Sequence, residues 1–219
     1  MARGGMHSNP PAGLASSNAT EPRTYQDGPF PAPIKFQAAK LWLSGASLRA
    51  TRDALDHRAI FSHESVRQWA HRLGHHLDRH AQREVIAVDE TSLFVEDGTE
   101  VFGWAALDAQ TREVFLTWVT QGRSSLEGWL FFKNVLRRCE DEVPFVVVDA
   151  GVWYPWPLNR LGFDWEIVSG GDRNVVESFF GSLKNRLEKM RRRPGTWHTR
   201  ASLQDVLRCH AWWWNHTRT

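Results

Sequence analysis

Cysteine is scarce in this 219-residue chain, and long hydrophobic runs are missing. The two cysteines, Cys139 and Cys209, stand far apart and outside any metal-binding spacing. That excludes a disulfide framework and a cysteine-type zinc site. The ten histidines are scattered, with no H-x-x-x-H pair backed by a third ligand. No apolar segment reaches the ~20 residues needed to cross a bilayer, and no signal-like apolar region follows the N-terminus. The expectation is a cytoplasmic protein with no membrane partner. An excess of one charge sign is also lacking: 27 Lys and Arg face 25 Asp and Glu, for a net charge of +2. Any affinity for a polyanion must therefore come from how charge is distributed, not from its sum. Tryptophan is plentiful, at 12 residues. Most of these belong in a core, and some are free to stack on bases or sugars.

Residues 1–33 are rich in Pro, Gly, Ala, Ser and Asn and have no periodicity, which predicts a disordered tail. Met6 offers a second start. Residues 34–76 read as three short helices. The first carries Phe36, Ala39 and Leu43 and stops at Ser44-Gly45. The second starts at an N-cap, Ser47, and carries Leu48, Thr51 and Leu55. The third starts near Ser62, carries Val66, Trp69 and Leu73, and ends at Gly74. This is a helix-turn-helix pattern. The outer face of its last helix shows Glu64, Arg67, Gln68, His71 and Arg72, and Arg and Gln can read base edges. A plain three-helix packing module would have the same pattern.

The period changes near residue 84. "EVIAVDETSLFV", "VFGWAALD" and "EVFLTWVT" are three strand runs with tight links, the first ended by Asp97-Gly98, and they predict an antiparallel meander. Ser124 and Glu127 form a capping box that opens a helix. "PFVVVDAG" is a short apolar run suited to a buried central strand. "VWYPWPLNRLG" is a helical or irregular link, "DWEIVS" a fifth strand, and two helices close the chain. The fold class is α/β, a mixed sheet flanked by helices over residues 84–216, preceded by the all-α module.

Three acids hold telling positions. Asp89 lies inside the first strand, Asp149 ends the most apolar one, and Glu177 sits near the start of the helix "NVVESFFGSLKNRLEKM", with Asn174 as its expected N-cap. Acids in or at buried strands are costly unless a cation meets them. If the first and fourth strands are neighbours, Asp89 and Asp149 lie side by side and repel unless a divalent cation joins them. Hard oxygen ligands suit Mg2+ or Mn2+. A third carboxylate permits two ions about 3.5–4 Å apart, the arrangement used for in-line attack on phosphodiesters. At 100° per residue, Glu177 and Lys184 fall within about 20° of each other on the helix. From Ser178 to Arg200 the chain carries Lys184, Arg186, Lys189, Arg191, Arg192, Arg193 and Arg200 against one acid, Glu188. That excess suits a phosphate backbone, although a solvated helix face would look the same. Taken singly, Asp89 could cap a bulge, Asp149 a turn, and Glu177 could serve as a helix-start acid.

Together, "AVDET" around Asp89, "VVVDAG.W" around Asp149 and "GDRN.VE..F..LK.R" around Glu177 resemble the DDE transposases of insertion-sequence family six, the shorter haloarchaeal branch in particular. The "W.HRLG" near Trp69 and the closing "WWWN" fit as well, so the resemblance spans about residues 34–216. The interval from Asp149 to Glu177 is shorter than in the better-known bacterial members and suits the archaeal-like branch. That family resembles retroviral integrases in its RNase H-like core. The resemblance implies a metal-binding catalytic triad of Asp89, Asp149 and Glu177, with Lys184 as the basic residue that contacts the transposon end. It also implies that the helix-turn-helix recognises terminal inverted repeats. Arg67, Gln68, His71, Arg72, Arg173, Asn174, Arg191 and Arg192 are the other candidate DNA contacts. The expected partners are double-stranded DNA, as element ends and as target, and further copies of the chain in a dimer or larger assembly. On DNA the protein would be nucleoid-associated. Two alternatives from other classes stay open: an inactive, transposase-derived DNA-binding repressor, and a nuclease with the same core.

Overall fold

Burial along β1 (Val85–Phe94) is continuous from Ile86 to Thr91, because this strand is the middle of a five-stranded sheet. In the computed structural model, which describes residues 29–77, 80–139, 142–191 and 199–217, the strand order is β3-β2-β1-β4-β5. On one side β2 (Glu100–Asp108) and β3 (Val114–Thr120) complete the expected antiparallel meander. On the other, β4 (Phe145–Val148) and β5 (Trp165–Ile167) run parallel to β1. The first hairpin turns at Gly98, whose φ of +85° favours glycine, and the Asp97 carboxylate accepts from the Thr99 N–H at 2.8 Å.

Parallel neighbours need crossovers, and helices supply them. The capping box of Ser124 and Glu127 opens α4 (Ser125–Leu136), which leads to β4. The proline-containing link after β4 is helical: α5 (Pro155–Leu161) starts with proline in its first turn and stops at Gly162, φ +77°. This mixed sheet with its crossovers is the RNase H-like arrangement expected above.

Strand alternation sends residues to opposite faces. Ile86, Val88, Trp104 and Phe115 join Phe131, Phe132, Tyr154 and Leu158 under α4 and α5. On the other face, Ala87, Ala105 and Leu107 meet Val176, Phe179 and Leu183 of α6 (Asn174–Arg191) and Leu207 and Trp214 of α7 (Arg200–Thr217). This second core continues into α1 (Ala32–Leu43), α2 (Leu48–Leu55) and α3 (His63–Leu73) through Trp42, Leu55 and Trp69. Ser47 and Ser62 cap α2 and α3 by accepting from the N–H groups of Ala50 and Ser65.

Several local expectations change. Helix α1 begins at Ala32, and Phe30 packs edge-on against Trp69 at 5.4 Å, so the stretch just before residue 34 joins the core. The rest of the expected tail, residues 1–28, lies outside the described residues. Asn174 is not a flanking cap. It has helical φ and ψ, because α6 runs on from a 3-10 turn at Gly171–Arg173. Arg186 belongs to the basic run yet is buried, with its guanidinium 4.7 Å from the centre of the Trp213 ring. Burial lowers its pKa to about 10.

His210 lies in the same region, fully buried between Phe179 at 5.3 Å and Trp213 at 5.5 Å. Burial, with the Arg186 cation adding to it, pushes its pKa from 6.5 down to about 3. Between those values the unfolded chain binds a proton that the folded chain refuses. Its contribution is therefore complete above pH 6.5 and is lost as pH falls toward 3, at about 1.4 kcal/mol per pH unit. Urea melts of wild type and His210→Gln at pH 7.5 and 5.0 check this. The variant should lose less stability on acidification, and equal losses would contradict the assignment.

Candidate functional site

β4 ends at Val148, whereas β1 runs on to Phe94. The register pairs Val85 with Phe145 and Ala87 with Val147. Continued by two residues, it brings Asp89 beside Asp149 at the carboxyl edge of two parallel strands. That edge is where α/β sheets hold ligands. Oxygens of Asp89, Glu90 and Asp149 lie within 4.8 Å of one another. The Asp149 carboxylate also accepts from the Gly151 N–H at 2.9 Å, which fixes the turn after β4.

Glu90 is the member that sequence reading missed. Strand alternation turns it to the α4 and α5 side, away from Asp89. There it is buried and accepts three hydrogen bonds: from the Tyr154 hydroxyl, from Trp153 Nε1 at 3.1 Å and from Arg123 Nη1 at 3.1 Å. The Arg123 guanidinium also lies 4.0 Å from the Trp153 ring centre. Burial raises the Glu90 pKa, and these donors pull it back. Glu90 therefore ties the segment that follows Asp149 to the central strand. The only hint in the sequence was an acid directly after Asp89.

On the opposite face, Arg173 meets the three acids singled out from sequence. Its Nη2 lies 3.1 Å from Asp89 Oδ2 and 3.8 Å from Asp149 Oδ2, and its Nη1 lies 3.0 Å from Glu177 Oε1. Side-chain exposure rises from 11% for Asp89 through 35% for Asp149 to 48% for Glu177, so the group opens toward solvent. Burial pushes the Asp89 pKa up to about 6, with Arg173 acting against it and Glu90 and Asp149 adding to it. Burial opposes the charge on Arg173, but Asp89, Asp149 and Glu177 outweigh it and raise its pKa. Two glycines deliver this arginine. Gly170 has φ +87° and ψ −158°, a region essentially closed to other residues, and Gly171 has φ +59°.

The other candidate contacts divide. Lys184 is exposed on α6, two turns beyond Glu177, and Asn174 is exposed at the helix start. Gln68 and Arg72 are exposed on α3. Arg67 is bound to Glu64, with its Nε at 2.9 Å from Oε1. His71 does not share the open face, because its Nδ1 lies 3.2 Å from Asp205 of α7. The side chain of Arg191 and all of Arg192 lie outside the described residues.

The strand order defines an RNase H-like domain, with a cluster of acids at the carboxyl edge of its sheet. The chain belongs to the same family as an uncharacterized protein of Methanocaldococcus jannaschii. The two are 39% identical over 155 residues, which is 70% of this chain and 72% of the relative. No family model matches. Among solved structures the chain is similar to the catalytic core domain of BIV integrase, at 16% identity and a TM-score of 0.46, over 62% of this chain and 86% of that one. It is also similar to the HTLV-2 integrase catalytic core domain in complex with magnesium, in its trimeric form, at 14% identity and a TM-score of 0.44, over 57% of this chain and 84% of that one. Among the described residues, no helix is long and apolar enough to cross a membrane.

The two kinds of ion pair should differ in worth. Glu90→Ala strands a buried hydroxyl and an indole N–H, so it should cost about 3 kcal/mol or more in urea unfolding. Glu64→Ala breaks an exposed pair and should cost no more than about 1 kcal/mol. Similar losses for both would contradict the anchoring role of Glu90.

Proposed function

We propose that the protein is a metal-dependent polynucleotidyl transferase acting on DNA, of the DDE transposase type. The observation that carries this reading is the convergence of Asp89, Asp149 and Glu177 on one guanidinium at the carboxyl edge of β1 and β4. The donor set fits a hard divalent cation: it offers only carboxylate oxygens, and a stand-in cation already lies against them. Asp89, Asp149 and Glu177 would hold the metal, with Mg2+ or Mn2+ as the ion. When bound, it would supply Lewis acidity at the phosphorus and lower the pKa of an attacking water or hydroxyl.

The chain's own residues do the rest. Glu90 holds the Trp153-Tyr154 segment and through it steadies Asp149. Lys184, exposed two turns past Glu177, supplies a cation for the phosphate backbone beside the cleft. Gln68 and Arg72 on α3 are open for contact with element ends. Water adds to phosphorus and the P–O3′ bond breaks, leaving a 3′-hydroxyl and a 5′-phosphate. That hydroxyl then adds to a target phosphorus, and the displaced target 3′-oxygen leaves with a proton. No Ser or Tyr nucleophile is needed, so no covalent protein–DNA species should accumulate. Two DNA segments must be joined, and a dimer or larger assembly suits that task.

The test is strand transfer of labelled element ends into a plasmid. Asp149→Asn and Glu177→Gln should each lower joined product by about two orders of magnitude or more while still retarding the ends in a gel. EDTA should abolish joining by wild type. Undiminished joining by Glu177→Gln would refute the assignment. Retarded ends without joining from any form would favour the inactive DNA binder.

A further inference from the structure

We propose that Arg173 is a built-in cation that holds the acids together before metal arrives and competes with metal for them. This rests on reading Asp89, Asp149 and Glu177 as the metal site. The guanidinium spans all three, with Nη2 on Asp89 and Asp149 and Nη1 on Glu177. A metal joining Asp89 to Asp149 must claim the oxygens that Nη2 now contacts. A divalent ion and a guanidinium so close would repel strongly, so the two occupy the cleft in turn.

Two further features fit an arginine that can be displaced. Its contacts with the acids are all made at the outer nitrogens, Nη1 and Nη2. It also ends the short 3-10 turn that Gly171 opens, one residue beyond the two glycines and outside the body of α6. Arg83, an arginine that serves the fold, donates instead to backbone carbonyls, those of Ala81 and Arg138. Among the described residues, the Arg173 guanidinium has carboxylates as its partners.

The sign of one measurement separates this role from a structural one. Removing a merely structural residue loosens the site and weakens metal binding, whereas removing a competitor strengthens it. Mn2+ binding to the full chain would be followed by calorimetry and by the EPR signal of free Mn2+. Arg173→Gln should bind Mn2+ about tenfold or more tightly than wild type. It should also melt at a lower temperature in EDTA, and saturating Mn2+ should close that gap. Arg173→Lys keeps a cation that cannot reach all three acids at once, and it should fall between the two. Equal or weaker Mn2+ binding by both variants overturns the proposal. Adding Asp149→Asn to Arg173→Gln tells the two readings apart. Loss of the tight binding supports the competitor acting at these acids. Retained binding moves the metal elsewhere and overturns the metal reading along with the competitor. Wild type and Arg173→Gln both failing to bind Mn2+ would overturn the metal reading itself.

Discussion

Like charges gathered at one sheet edge are the constraint that the rest of this structure answers. Asp89, Glu90 and Asp149 bring carboxylate oxygens within 4.8 Å of one another, and Glu177 joins them through Arg173. At about 4 Å two unit charges interact by roughly 1 kcal/mol in water and 4 kcal/mol near a protein surface. Each added acid therefore needs its own compensation. The sheet separates the problem into two halves. On the α6 face, Arg173 serves Asp89, Asp149 and Glu177. On the α4 and α5 face, Tyr154, Trp153 and Arg123 serve Glu90. The compensation is incomplete at Asp89, whose pKa burial lifts to about 6.

The scaffold holds this edge stiffly. β1 is flanked on both sides, and its register with β4 leaves Asp89 and Asp149 adjacent. Val176, Phe179, Phe180 and Leu183 anchor α6 in the core, which leaves Glu177 and Lys184 on the side facing solvent. Helix α7 packs behind it and carries Asp205 to His71 of α3. The N-terminal helices thus share a core with the sheet.

Much of the fold was legible because local signals agreed with one another. The meander, the Ser124–Glu127 capping box, the Ser47 and Ser62 caps and the apolar β4 each follow from spacing and residue type. So does the proximity of Asp89 and Asp149, once β1 and β4 are taken as neighbours. Glu90 escaped notice because strand periodicity assigns it to the far face, while only the early end of β4 lets both acids approach Asp149. Arg186 and His71 show the limit of counting charges. Whether a basic side chain meets solvent or a ring depends on helix packing, and Arg186 lies over Trp213 while His71 turns to Asp205. The sequence pattern makes Arg173 a candidate DNA contact, whereas its position among the acids follows from the backbone of Gly170, a φ and ψ pair that composition cannot reveal.

The most direct measurement is the anomalous diffraction of crystals soaked in Mn2+. The account predicts a manganese peak between the carboxylates of Asp89 and Asp149, with the Arg173 guanidinium turned out of the cleft. Saturating Mn2+ with no peak at these acids, and Arg173 still bridging them, would contradict it.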